Sequence, residues 1–410
     1  MEQRLRTPSS ASKDGASDPP AASDPSKPSA EGARADEGDR DASTPVNVPL
    51  VETLSPGMRP LDHLRRVLGE MSHPWAPGGL LVLTHKSPDP DALGAMAGMG
   101  FLLERAFGLK HEIATTGRIF RAENMAMVRE LGLHFADYHA IDPSHYTAAL
   151  LVDTQPSFGH TFLPEGLPIM AVFDHHEPPA NGGVDVRIPH FDLRLGLGAT
   201  CTMIYEYIRD AGLELDARTA TALCCGVRFD TGDLSNHVTA LDTEAFHQTF
   251  RFADRRMLAR INRPVLPSTY YRELHQALSR ARSYGPLVYG LLGRVSNPES
   301  VAEMADFFLR LDDARWSFVG GAYEGVYHLS LRTEVGFADA YPLMAAILDG
   351  EGSFGGRGSV AGGQIPLENP DDATINNLQR RLRKRALKLV DPAELQGADK
   401  NSGIRLTRLP

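Results

Sequence analysis

Residues 80–91 are Leu-Leu-Val-Leu-Thr-His-Lys-Ser-Pro-Asp-Pro-Asp, an apolar run that ends abruptly in a polar cluster. The apolar part, Leu80–Thr84, is short and has the composition of a strand buried on both faces. Residues 92–107 follow with apolar side chains at helical spacing. A buried strand followed at once by a helix is the repeating unit of a parallel sheet. This stretch therefore predicts an α/β fold.

The same pattern continues along the chain. Tyr146–Val152 and Ile169–Phe173 have the composition of buried strands, and Val184–Ile188 is a weaker strand candidate. We predict a parallel sheet in the N-terminal part of the protein. Ligands bind at the carboxyl ends of the strands in such sheets, so polar residues at those ends are candidates for a functional site.

Acidic and histidine side chains follow each predicted strand. They are His85, Asp89 and Asp91 after the first strand, Asp153 after the second, and Asp174, His175 and His176 after the third. Asp230 follows a predicted helix at 217–227. Each cluster alone has an ordinary structural explanation: Asp91 could cap a helix, Asp153 could be a turn residue, and the two histidines could lie on the surface. Four clusters of this kind together indicate a common site.

The chemistry of these side chains points to metal ions. Carboxylates and imidazoles without thiolates favour Mn²⁺ or Mg²⁺, with Co²⁺ or Zn²⁺ as alternatives. The candidate ligands exceed the needs of one cation. Two ions about 3.5–4 Å apart, bridged by a carboxylate, form the arrangement that hydrolyses phosphate esters.

A second, smaller mixed α/β domain is predicted after residue 285. Strands are expected at 287–292, 316–323 and 326–332, and helices at 300–311 and 338–348. Residues 352–363 are rich in glycine, and we expect a loop whose backbone N–H groups approach an anion. Arg332, at the end of a predicted strand, has an ordinary explanation as a solvated side chain.

The composition limits the class of protein. The 410 residues carry 42 Lys+Arg against 52 Asp+Glu, a formal charge of −10, so bulk charge does not make the chain a polyanion binder. Its three cysteines are too few for a disulfide framework or a four-cysteine zinc site. No apolar run has the length of a membrane span, and the N-terminus lacks the apolar region of a secretion signal. We expect a cytoplasmic protein.

The four motifs, in this order, resemble those of the DHH phosphoesterases, a family of the RecJ-like superfamily. The matching residues are His85, Pro88, Asp89 and Asp91 (HxxPDxD), Asp153, Asp174-His175-His176, and Gly226 with Asp230-Thr231-Gly232 (GxxxDTG). The resemblance covers about residues 55–368 and implies two divalent ions, Mn²⁺ first, with Mg²⁺ or Co²⁺ as alternatives.

The resemblance also implies a role for each residue. One ion would bind His85, Asp89 and Asp153, and the other Asp91, Asp153, His175 and Asp230. His176 would contact or protonate the substrate phosphate, Asp174 would orient a neighbour, and a hydroxide held between the ions would be the nucleophile.

The C-terminal part resembles the DHHA1 domain that accompanies DHH domains. This implies that Arg332, Gly355, Gly356 and Arg357 contact the substrate, although Arg357 stands where the family usually has histidine. The expected substrates are short oligonucleotides or small (di)nucleotide phosphates, as for nanoRNase, an oligoribonuclease, or phosphoadenosine-phosphate phosphatase. An exopolyphosphatase or pyrophosphatase, or a non-catalytic nucleotide-sensing protein, is the alternative.

The expected domain organisation has five parts. They are a disordered tail at 1–46, a DHH catalytic domain at 47–262, a linker helix at 263–285, a DHHA1 substrate-binding domain at 286–368 and a basic C-terminal helix and tail at 369–410. The C-terminal helix, predicted at 373–390, carries six basic residues between Arg380 and Lys388. It could pack on its own protein, form a homodimer or bind nucleic acid.

Overall fold

The computed structural model describes residues 57–71, 75–178, 188–236, 238–390 and 403–408. The predicted tail at 1–46 lies outside these residues, as do residues 184–187 of the weaker strand candidate. Among the residues described, no helix is long and apolar enough to span a membrane.

The first part of the chain alternates strands and helices. Its strands are β1 (Leu80–Leu83), β2 (His111–Ala114), β3 (Ala148–Val152), β4 (Ile169–Asp174) and β5 (His190–Leu193). Its helices are α1 (Pro60–Glu70), α2 (Pro90–Phe107), α3 (Ala122–Leu131), α4 (Thr200–Asp210), α5 (Ala217–Asp230), α6 (Ala240–Phe252) and α7 (Arg255–Asn262).

These strands form one all-parallel sheet in the order β2-β1-β3-β4-β5, which confirms the predicted fold class. The predicted strands that begin at Leu80, Tyr146 and Ile169 correspond to β1, β3 and β4. From β1 the chain passes to β2 on one side and then to β3 on the other. This reversal opens a crevice at the carboxyl ends of β1 and β3.

Both faces of the sheet are buried, which explains the continuous apolar runs of its strands. Leu80 and Val82 face a core shared with helices α1, α2 and α4. Leu81 and Leu83 face the other way and pack against irregular segments that include Tyr138 and Leu163. Helices therefore cover one face of the sheet, and loops and short turns cover the other.

The second part of the chain forms a mixed seven-stranded sheet in the order β10-β11-β9-β8-β7-β6-β12. Its strands are β6 (Arg282–Tyr284), β7 (Leu287–Arg294), β8 (Trp316–Tyr323), β9 (Val326–Thr333), β10 (Ser353–Arg357), β11 (Val360–Pro366) and β12 (Ile404–Arg405). Its helices are α8 (Ser268–Arg280), α9 (Glu299–Phe308), α10 (Ala340–Leu348) and α11 (Asp372–Leu387). We call the parts up to α7 and from α8 onward the first and second domains.

The basic C-terminal helix packs on its own protein. Ile375, Leu378 and Leu382 of α11 are buried in the core of the second domain. Arg381 lies 2.9 Å from Glu351, and Arg385 lies 2.8 Å from the same carboxylate. Helix α8, expected to be a linker, also belongs to a core of the second domain. The exact division of the chain into domains remains a prediction.

A buried polar network lies between α1, α4 and β5. Arg194 donates two hydrogen bonds to Asp192, and the Tyr207 hydroxyl donates to Asp192 Oδ2 at 2.8 Å. His190 Nε2 therefore donates to the Tyr207 oxygen at 2.8 Å, and His190 Nδ1 accepts from His63 Nδ1 at 2.9 Å. Neutral His190 satisfies every partner, whereas a second proton on its ring would face the N–H of His63.

This network predicts a loss of stability in mild acid. Burial lowers the pKa of His190 from 6.5 to about 4. The folded pKa is below the unfolded one, so the unfolded chain binds the extra proton first. The stabilisation is complete above pH 6.5 and is lost as the pH falls towards 4; it amounts to about 3 kcal/mol. Denaturant titrations between these pH values should show a shallower pH dependence for His190→Gln than for wild type. Equal slopes would contradict this assignment.

Candidate metal centre and cleft

The structure brings the predicted metal ligands together at the carboxyl ends of β1, β3 and β4. Three groups of side chains have possible ligand atoms within 4.8 Å of one another. They are His85 with Asp89 and Asp153, Asp91 with His175 and Asp230, and Asp153 with His175 and His176. All six expected ligands therefore lie in one cluster.

Asp153 lies at the centre of the cluster. Its Oδ2 is 3.6 Å from His85 Nε2, and its Oδ1 is 3.8 Å from His175 Nε2. Its side chain is only 1% exposed. Its φ of 56° is left-handed, a conformation that costs an aspartate free energy and that clusters at active sites. This placement fits the bridging role that the resemblance implies.

Two buried atoms of the cluster have no hydrogen-bond partner, namely Asp153 Oδ2 and His175 Nε2. Buried polar atoms are rarely left without a partner, because desolvation is costly. His175 Nδ1 donates to the Leu197 carbonyl at 2.9 Å, which leaves a lone pair on Nε2. The Nε2 atom lies 3.2 Å from Asp230 Oδ2. An imidazole nitrogen and a carboxylate oxygen that face each other at this distance fit ligands of a shared cation.

The electrostatics of the cluster also favour cations. Burial, followed by the repulsion of neighbouring carboxylates, raises the pKa of Asp91 well above its ordinary value, and the same causes raise the pKa of Asp230. Burial alone would lower the pKa of His85, but its contacts with Asp153 and Asp89 prevail and raise it to about 9. The site thus holds more negative charge than its own side chains neutralise.

Asp174 contacts the two histidines of the cluster through hydrogen bonds. Its Oδ1 accepts hydrogen bonds from the backbone N–H of His175 and from His176 Nδ1, at 2.8 and 2.9 Å. Its Oδ2 accepts from Gln155 Nε2 at 2.8 Å. With both oxygens engaged, Asp174 orients the two histidines and belongs to none of the ligand groups among the described residues.

The helix cap differs from the sequence interpretation, in which Asp91 was the residue that could cap the helix. Asp89 caps α2, since its Oδ1 accepts from the backbone N–H of Asp91 and of Ala92, both at 3.0 Å. Pro90 explains the difference. Proline favours the first position of a helix, which places the residue before it at the N-cap. Oδ2 of Asp89 is not used by the cap.

Sequence reasoning missed the residues of α4 that hold Asp91 and Asp153. The backbone N–H groups of Thr200 and Cys201 donate to Asp91 at 2.6 and 2.9 Å. The Thr200 hydroxyl donates to Asp153 Oδ1 at 2.9 Å. Because Thr200 follows the third motif by 24 positions, its spacing from the motifs gave no local signal.

The glycine of the GxxxDTG motif has a steric role. A Cβ at Gly226 would lie 2.3 Å from Cys201 Sγ and 2.7 Å from Asp91 Oδ1. Glycine therefore lets α5 approach Asp91 closely. The same helix ends at Asp230, which brings this carboxylate to the cluster.

A cavity of about 1080 Å³ lies between the domains, and its lining includes Lys86, the residue after His85. Lys86 and His160 of the first domain and His328 and Arg332 of the second domain line it. Arg332 Nε donates to Asp306 Oδ1 at 2.5 Å, and Nη1 donates to the Ser330 hydroxyl at 2.7 Å. These contacts fix the guanidinium group at the wall of the cavity.

The glycine-rich segment was expected to be a loop, but it forms the β10–β11 hairpin. Gly355 pairs with Gly362 across the two strands. Both line the cavity, and a Cβ at Gly355 would contact nothing within 4 Å. Gly356, in contrast, has no room for a side chain, because a Cβ would lie 2.4 Å from the Val360 carbonyl oxygen.

The four residues expected to contact the substrate thus differ in their placement. Arg332 and Gly355 line the cavity. Gly356 is required by the packing of the hairpin. Arg357 ends β10, and its side chain lies outside the described part of the structure.

Comparison with known proteins matches the part of the chain that carries the first three motifs to a family. Residues 80–227 match the model described as "DHH family, N-terminal domain". An uncharacterized protein of Methanocaldococcus jannaschii is 30% identical over 290 residues, which are 70% of this chain and 58% of that protein. An A-adding tRNA nucleotidyltransferase of Aquifex aeolicus is 26% identical over 323 residues, 74% of this chain and 35% of that protein. The chain thus matches little more than half of one relative and a third of the other.

A solved structure shares the fold. An exopolyphosphatase-related protein from Bacteroides fragilis aligns with a TM-score of 0.61 at 14% identity, over 81% of this chain and 98% of that one. The family match ends before the second domain, so its assignment to DHHA1 remains a prediction. Through residues 80–227 and the motifs that they carry, the chain contains a domain that matches the DHH family model.

Proposed function

We propose that the protein is a metal-dependent phosphoesterase that hydrolyses short oligonucleotides or small (di)nucleotide phosphates. The observation that carries the proposal is the cluster in which Asp153 Oδ2 and His175 Nε2 are buried without partners. A cavity lined by Lys86, which directly follows the proposed ligand His85, and by Arg118 and Arg332 supplies positive charge for a phosphate-bearing substrate.

Each proposed ion takes its ligands from different elements. One would bind His85, Asp89 and Asp153, and the other Asp91, Asp153, His175 and Asp230. When bound, two such ions, with Mn²⁺ preferred, neutralise the charge that develops on the phosphoryl oxygens and activate the attacking water.

His176 is the side chain placed to act on the substrate. It is 48% exposed, and its Nδ1 donates to Asp174 at 2.9 Å. This hydrogen bond fixes the ring and leaves Nε2 for the substrate. His176 also borders a second cavity of about 830 Å³ between the domains. We propose that it donates a hydrogen bond to a phosphoryl oxygen or protonates the leaving group.

The cleft supports nucleotides as the substrate class. Phe120 of the first domain and Tyr323 of the second are in edge-to-face contact, with ring centroids 5.6 Å apart, and both line the cavity. Aromatic rings of this kind can stack on bases, which polyphosphate lacks. Gly355 and Gly362 leave a flat surface between His328 and Arg332, where a planar group can lie against the sheet.

Removal of metal is expected to abolish hydrolysis. Without cations, the carboxylates of the cluster repel an anionic phosphate instead of binding it. Exhaustive chelation should therefore stop turnover, and added Mn²⁺ should restore it, relative to a sample dialysed without chelator. Full activity in a preparation shown to be free of metal would contradict the proposal.

A product-resolved substrate screen with Mn²⁺ tests the substrate class. It compares short RNA, pApA, cyclic di-AMP, phosphoadenosine phosphate, pyrophosphate and polyphosphate. Preference for a nucleotide supports the proposal, whereas preference for pyrophosphate or polyphosphate would favour the alternative enzyme. Nucleotide binding without turnover of any compound would indicate a sensor.

A further inference from the structure

A basic and aromatic surface lies outside the metal centre, at the junction of α6 and α7. Residues 251–263 contain five arginines and a single acidic residue, Asp254. Two phenylalanines, Phe250 and Phe252, are 38% and 47% exposed beside them. We call the surface formed by Phe250, Arg251, Phe252, Arg255, Arg256 and Arg263 the arginine–phenylalanine patch.

The packing of α7 explains why the arginines face solvent. Leu258 and Ile261 are buried against α3 and α5, which turns the opposite side of the helix outward. Asp254 is the one carboxylate among these arginines. Its Oδ1 caps α7 by accepting from the backbone N–H of Arg256 and of Met257, so it does not neutralise the positive charge of the exposed side of the helix.

Most of these arginines have no acidic partner. Of the five, Arg260 is paired, at 2.5 Å from Glu130. Within the described ranges, Arg251, Arg255, Arg256 and Arg263 have no carboxylate at ion-pair distance. The basic helix α11 is different, because its Arg381 and Arg385 pair with Glu351.

The aromatic side chains are prearranged for stacking. The Arg255 guanidinium lies 3.4 Å from the centroid of Phe250, whose ring stacks on Phe246 at 5.4 Å. Arg251 lies 5.5 Å from the centroid of Phe252. A guanidinium placed over an aromatic ring can still offer its outer face to a base and its N–H groups to a phosphate.

From these contacts we propose that the patch binds single-stranded nucleic acid. Unpaired arginines complement phosphates, and exposed Phe252 and the Arg255 plane supply stacking surfaces for bases. An acidic protein would neutralise the arginines but would leave the stacking surfaces unused. The net charge of −10 confines this attraction to the patch.

The patch is separate from the proposed active site. The backbone N–H of Asp254 donates to Thr221 Oγ1, near the start of α5, at 2.9 Å. Asp230 ends that helix nine residues later, which corresponds to about 14 Å along its axis. Binding there would tether a longer nucleic acid to the protein, and it can be measured without catalysis.

Fluorescence anisotropy with the full chain and a labelled oligonucleotide of about 16 unpaired bases, in EDTA, tests the proposal. The variants are Phe252→Ala and the triple variant Arg255→Gln/Arg256→Gln/Arg263→Gln. The matched control, Arg380→Gln/Lys384→Gln/Lys388→Gln, removes three exposed positive charges from α11 and from the residue that follows its end.

The triple patch variant should bind at least tenfold more weakly at about 0.15 M salt, and its log–log salt slope should fall by about 2. Phe252→Ala should weaken binding about 5–150-fold, the effect of one lost stacked base, without a change in slope. The control should bind like wild type. Equal losses in the control, equal affinity for a duplex of the same length, or an absence of binding by wild type would overturn the proposal. Because metal is absent, none of these results depends on hydrolysis.

Discussion

Asp153→Asn is expected to reduce hydrolysis by more than tenfold beyond the loss caused by Asp174→Asn. Asp153 lies within reach of both proposed metal groups, so the loss of its charge weakens both ions at once. Its Oδ2 is buried without a partner, and an amide nitrogen in that position would present N–H groups to a cation. Turnover at saturating Mn²⁺ and metal content after gel filtration measure the effect.

Asp174→Asn is the matched control. It is the same substitution at a buried aspartate next to the same histidines. Asp174 acts through hydrogen bonds to His176 Nδ1 and Gln155, so its change should cost about 10–100-fold. Both variants should retain their metal-free melting temperature within a few degrees. Equal losses of activity would show that the two carboxylates do not differ in role.

Local sequence patterns were sufficient to predict the parallel sheet and the convergence of its polar ends. Strands β1, β3 and β4 are continuous apolar runs because both of their faces are buried. The edge strand β2, His111–Ala114, was missed because two of its four residues are polar or charged. Edge strands bury less surface and therefore give a weaker signal.

Contacts between residues distant in sequence could not be predicted in this way. Thr200 is 47 positions from Asp153, and Asp306 is 26 positions from Arg332, yet each pair is joined by a hydrogen bond. Such pairs depend on tertiary packing, which periodicity and motif spacing do not describe. The arginine–phenylalanine patch was missed for a related reason. Its basic residues resemble those of α11 in the sequence, and the two surfaces differ in the ion pairs and the exposed aromatic rings that the fold gives them.

Arg332→Gln is expected to lower kcat/KM much more for a dinucleotide than for a small phosphate ester. The guanidinium lies in the second domain, whereas every proposed metal ligand belongs to the first. We expect a dinucleotide bound at the cluster to reach Arg332 across the cleft, whereas bis-p-nitrophenyl phosphate has no second phosphate or base for this contact. Loss of a charged hydrogen bond costs about 1.5–3 kcal/mol, which corresponds to about 10–150-fold in kcat/KM for the dinucleotide. The small ester should lose less than about threefold.

Two controls distinguish substrate contact from damage to the fold. Arg315→Gln removes an exposed arginine that pairs with Glu334 at 3.1 Å in the same domain, and it should leave both substrates unaffected. Arg332→Lys retains the charge without the forked geometry, so it should restore part of the dinucleotide activity if charge contributes. Loss of the ion pair with Asp306 could lower stability, which melting curves would detect. If both substrates lose activity by the same factor at an unchanged melting temperature, Arg332 acts on the chemical step. The second domain would then contribute to catalysis and not only to recognition of the far end of the substrate.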